Sequence, residues 1–68
     1  MVEINTQAIR EQMMKAAINV KDLADKSNVS PATVQKLVNH GGKVNFKTVG
    51  RVAKSLDVTP QEIIKNSI

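Results

Sequence analysis

The sequence predicts an all-α fold of five short helices, the second and third forming a helix-turn-helix. Three observations carry this expectation. Apolar residues recur at three- and four-residue spacing almost throughout, the period of a helix that buries one face. No run of alternating Val, Ile or Thr reaches strand length, and no hairpin dipeptide occurs. One helix-start signal is used twice, as Val29-Ser30-Pro31 and Val58-Thr59-Pro60. Each is an apolar residue, a capping hydroxyl, and a Pro at the first helical position, where its missing N–H costs nothing.

The first helix is expected from Asn5 or Thr6 to about Ala17, with Ile9 and Met13 buried and Ala8, Ala16 and Ala17 beside them; Met14 reads as near-core. The second runs over about Val20–Ser27 behind an Asn19 cap, with Val20, Leu23, Ala24 and Ser27 on one face. Asp22 in its first turn and Lys26 in its last complement the helix dipole. The third starts at Ser30-Pro31, turns Val34, Leu37 and Val38 inward, and ends in Asn39-His40-Gly41-Gly42, residue types that tolerate the left-handed backbone closing a helix. The Gly41-Gly42 pair reads either as a flexible loop or as backbone that can approach a phosphate. The fourth begins after Asn45 and runs to about Leu56, with Phe46, Val49, Ala53 and Leu56 as its stripe. The fifth opens with a capping box, Thr59 and Glu62, and carries Ile63 and Ile64.

Composition narrows the function. Sixty-eight residues make one domain, 1–68. Without Cys, and with His40 as its one His, the chain offers no thiolate or multi-histidine metal site. No metal, cofactor or small-molecule ligand is expected. The chain also lacks Tyr and a glycine-rich phosphate loop, so an enzyme is not expected. No apolar run approaches the ~18–20 residues that span a bilayer, and Met-Val-Glu-Ile does not read as a secretory signal. A cytoplasmic protein without a membrane partner is expected.

Charge is unevenly placed. Lys26, Lys36, Lys43, Lys47, Arg51 and Lys54 lie in a stretch, 26–56, that holds no Asp or Glu. The remainder carries four basic and six acidic residues, so all of the net +4 comes from that stretch. Such asymmetry fits a polyanionic partner.

The segment from Val20 to Asn39 has the pattern of two helices crossing steeply through a short turn. Ala24 is small where the backbones approach, Asn28 tolerates positive φ in the turn, Val29 plugs the core, and Val34 and Leu37 face inward. Such a pair presents its second helix to the DNA major groove.

With these residues in place, the sequence resembles the Cro/lambda-repressor-type (XRE-like) helix-turn-helix domains over about Asn5 to Lys65. The resemblance lies in Leu23-Ala24, Asn28-Val29-Ser30, Thr33-Val34, Leu37 and Asn39, and further on in Val52-Ala53-Lys54-Ser55-Leu56-Asp57-Val58-Thr59. It implies a compact five-helix, lambda-repressor-like domain and a sequence-specific regulator that binds an operator in double-stranded DNA. It also implies that Asn39, at the end of the reading helix, binds phosphate. Three residues depart from the family pattern. Val20 stands where relatives carry a phosphate-binding Gln, Asn28 where Gly is common, and Pro31 where some relatives read a base with Gln.

The outward face of helix 31–38 assigns base reading to Ala32, Thr33, Gln35 and Lys36, with Thr33 and Lys36 as the main readers. Phosphate contacts fall to Asn19, Ser30, Asn39, Lys43, Asn45 and Lys47, at helix starts and their flanks. A homodimer, at least on DNA, is expected for a roughly palindromic operator. Ile63, Ile64, Ile68, Val44 and Val58 are candidates for its surface, though the C-terminal isoleucines equally suit the monomer core. If the chain is complete, its length favours a Cro-like repressor of a phage or mobile element. The alternative is an antitoxin that masks a toxin and binds its own promoter.

Overall fold

The computed structural model describes residues 2–65. Among them are four α-helices: α1 (Thr6–Ala16), α2 (Val20–Ser27), α3 (Pro31–Asn39) and α4 (Phe46–Ser55). Two short strands, β1 (Val2–Ile4) and β2 (Gly42–Val44), pair antiparallel, with Val2 opposite Val44 and Ile4 opposite Gly42.

Side-chain caps set the four helix starts. Asn5, Asn19, Ser30 and Asn45 accept from the backbone N–H of Ala8, Asp22, Thr33 and Thr48 respectively. Each such cap is worth about 1 kcal/mol. Asn19 and Asp22 form a reciprocal capping box, because Asp22 Oδ2 also accepts the Asn19 N–H at 3.3 Å. Pro31 occupies the first turn of α3. Asn28 closes α2 in the left-handed conformation, φ 57°, so the α2–α3 turn is made as its sequence predicts.

The core is aliphatic. Ile9 and Met13 from α1, Leu23 and Ala24 from α2, and Val34 and Leu37 from α3 pack with Val49, Val52 and Leu56. Val29 in the turn and Val20 pack against this cluster from the edge. Four expected core or near-core positions are exposed instead. Ala16 and Ala17 are exposed, beyond the last buried turn of α1, and Met14 is 80% exposed. Phe46 is 70% exposed although it falls on the stripe of α4. Helical side chains lean toward the N-terminus. At the first position of α4 there is no preceding helical turn for the ring to lie over.

The fifth helix is not formed. Glu62 Oε2 accepts the Thr59 N–H at 2.8 Å, as a capping box requires, but only a single 3-10 turn, Pro60–Glu62, follows. The chain then extends along β1. Asn5 N–H donates to the Ile63 carbonyl at 2.9 Å, Lys65 N–H donates to the Glu3 carbonyl at 2.8 Å, and Ile64 bridges Ile4. β1 supplies the backbone partners that a further helical turn would otherwise have provided. Ile63 is fully buried and Ile64 half-buried, so both close the monomer core. Ile68 lies outside the described residues.

Gly41 is packed, not loose. It is buried at φ +72°, and a Cβ there would lie 2.9 Å from Thr6 Cγ2 and 3.2 Å from the Ile4 carbonyl oxygen. The end of α3 is thereby held against the junction of β1 and α1.

Candidate nucleic-acid interface

α3 divides cleanly. Val34, Leu37 and Val38 are buried, whereas Pro31, Ala32, Gln35 and Lys36 are exposed and Thr33 is half-buried. The four positions expected to read bases therefore share the outward side of one helix. Thr33 is the most enclosed, because its hydroxyl lies 2.8 Å from Ser30 Oγ, which also accepts the Thr33 N–H at 3.2 Å.

Five of the six expected phosphate contacts fall into two places. Asn19 and Asn39 line one groove, formed where α1, the start of α2 and the end of α3 meet. Lys43, Asn45 and Lys47 follow one another through β2 and into the first turn of α4, all exposed. Ser30 stands at the start of α3.

The three asparagines share a feature. Asn19 Oδ1 accepts the Asp22 N–H at 2.8 Å, and Asn45 Oδ1 accepts the Thr48 N–H at 2.8 Å. Asn39 Oδ1 meets Arg10 Nη2 at 3.5 Å. In each the amide oxygen is engaged by the protein, so the NH2 donor is the group left for a partner. Such a set suits an acceptor-rich anion.

Arg10 was not among the residues singled out by sequence. It flanks the Ile9–Met13 stripe of α1, which signals proximity to a neighbouring helix without saying which. The structure brings its Nε–H to the Val38 carbonyl at 3.0 Å. The other cations go elsewhere. Lys26, Arg51 and Lys54 line a separate cleft with Ser27, Ser55 and Asp57, at the C-terminal ends of α2 and α4, where positive charge offsets the helix dipoles. His40 is exposed behind α3.

Among the described residues no group of three His, Cys, Asp or Glu side chains is placed to hold a metal ion. No described helix is long and apolar enough to cross a membrane.

Residues 8–66 match the family model of the Cro/C1-type helix-turn-helix DNA-binding domain. Among solved structures, the chain is similar to the restriction-modification controller protein C.AhdI from Aeromonas hydrophila. That match has 23% sequence identity and a TM-score of 0.77, and it covers 84% of this chain and 86% of that one. The likeness is one of fold. No curated protein matches the sequence.

Proposed function

The chain belongs to the Cro/C1-type helix-turn-helix DNA-binding domain family, and we propose that it is a sequence-specific transcriptional regulator that reads the major groove with α3. The observation that carries this reading is the pairing of the two surfaces. An exposed helix face bearing Ala32, Thr33, Gln35 and Lys36 is flanked by asparagines and lysines whose free groups are donors. The central residues address base edges, and the flanks hold phosphates and set the register.

The regulator acts as a homodimer on a roughly palindromic operator. Half-sites one turn apart are separated by about 34 Å, and the domain measures 31 × 21 × 19 Å, so two copies fit side by side on one face of the duplex. With Ile63 committed to the core, the remaining candidates for the dimer surface are half-buried Val44, Val58 and Ile64 and exposed Phe46. The role proposed within this DNA-binding family is that of a repressor in a phage or mobile gene cluster, exercised at the nucleoid.

Fluorescence titration of the protein on DNA from upstream of its own gene, at two salt concentrations, tests the reading. Tight binding with a steep salt slope, and weaker binding to scrambled DNA, is expected. Equal affinity for both duplexes at low salt would remove the operator reading.

A further inference from the structure

We infer that Arg10 is a positioning residue for the DNA contact made by Asn39, an inference that rests on the DNA-binding reading above. Arg10 crosses from α1 to the end of the reading helix. Its Nε–H donates to the Val38 carbonyl at 3.0 Å, and its Nη2 reaches Asn39 Oδ1 at 3.5 Å. Carbonyls in the last turn of a helix lack following amides, and this end of the dipole is negative. A guanidinium satisfies both needs.

The consequence for Asn39 follows from donor chemistry. Guanidinium nitrogens donate and do not accept, so the Asn39 atom that faces Arg10 must be the carbonyl oxygen. Its Nδ2 then carries the free hydrogens outward. Asn19 and Asn45 obtain the same orientation from the backbone of their own helices, by capping. Asn39 sits at a helix C-terminus, where no free backbone N–H is available to do this, and Arg10 takes its place from another helix. Arg10, Asn19 and Asn39 line one groove, and the Asp22 carboxylate in that groove is turned to the Asn19 N–H. Two preset amide donors from different helices thus border the path of one DNA strand.

A double-mutant cycle tests this on a duplex that the wild-type protein selects from a random library. Arg10→Met keeps the aliphatic stem and removes the fork; Asn39→Ala removes the amide. Each is expected to weaken binding about tenfold, as for loss of one hydrogen bond to a charged group. The double variant should bind no worse than the weaker single one, since both changes remove the same contact. Losses that multiply, with a salt slope lower by about 0.9 for Arg10→Met, would make Arg10 an independent phosphate contact and overturn the inference. Wild-type affinity in either single variant would overturn it as well. Should Arg10→Met not fold, Arg10→Leu, which likewise lacks any donor, runs the same cycle with the same criteria. A wild-type protein that selects no duplex defeats the DNA-binding reading and this inference with it. A wild-type protein that binds, with Asn39→Ala impaired and Arg10→Met not, defeats the inference alone.

Discussion

The hydroxyls of Ser30 and Thr33 lie 2.8 Å apart at the first turn of α3, and the Ser30 oxygen also accepts the Thr33 N–H at 3.2 Å. The Thr33 hydroxyl is thus engaged within the protein, and on the proposed reading of DNA by α3 its methyl group is the part left for a base. Thymine carries a matching methyl on its major-groove edge. Thr33→Val, which keeps that methyl, is therefore expected to retain base preference in a competition assay, whereas Thr33→Ser relaxes it. The reverse order would show that the hydroxyl reads a base.

Lys36 and Lys43 are both exposed cations, but they differ in position. Lys36 projects from the outward side of α3, and Lys43 sits in β2 opposite Glu3. Lys36→Ala should lower discrimination between related duplexes, and Lys43→Ala should weaken all duplexes about equally. Titration of both variants on a small panel of sites decides it; identical behaviour would refute the division into readers and positioners.

Gly41 and Gly42 make opposite demands. Both have positive φ, but a Cβ meets Thr6 and Ile4 at Gly41 and open space at Gly42. Gly42→Ala should cost about 1–2 kcal/mol, the left-handed penalty alone. Gly41→Ala should cost distinctly more, because backbone must also move. Urea denaturation of the two variants gives the comparison, and equal midpoints would mean that the α3 end is not held by this packing.

Ile63 is fully buried and Phe46 is 70% exposed. Ile63→Ala is expected to lower stability by about 2–5 kcal/mol, and Phe46→Ser to change it by less than about 0.5 kcal/mol. Denaturant midpoints measured over a range of protein concentrations separate core from partner surface. If Ile63→Ala altered only the concentration dependence, Ile63 would belong to an interface between copies.

What could be read from sequence, and what could not, follows the range of the interactions. The caps Asn19 and Ser30, Pro31 in the first turn and Asn28 in the α2–α3 turn act within a few residues, and all stand where sequence placed them. The inward faces of α2 and α3 are likewise set by local period. The strands escaped notice because each is three residues long and its partner is remote. The same strand draws the chain alongside it at Ile64, where a capping box and apolar residues suggest a helix but β1 offers better-placed backbone groups. Phe46 has the right period and the wrong place, one turn too early to cover the core. Arg10 and Val38 are 28 residues apart, and nothing in the residues near Arg10 names that carbonyl. Local chemistry thus marks α3, and non-local packing fixes how its far end is held.

Selection of duplexes from a random library by the wild-type protein, followed by sequencing, tests most directly whether this domain reads DNA through α3. The expected result is enrichment of an inverted repeat whose half-sites lie about 10 base pairs apart, with the enriched bases changing in a Lys36→Ala selection. A pool that stays indistinguishable from its input, or one that the Lys36→Ala protein enriches identically, would contradict it.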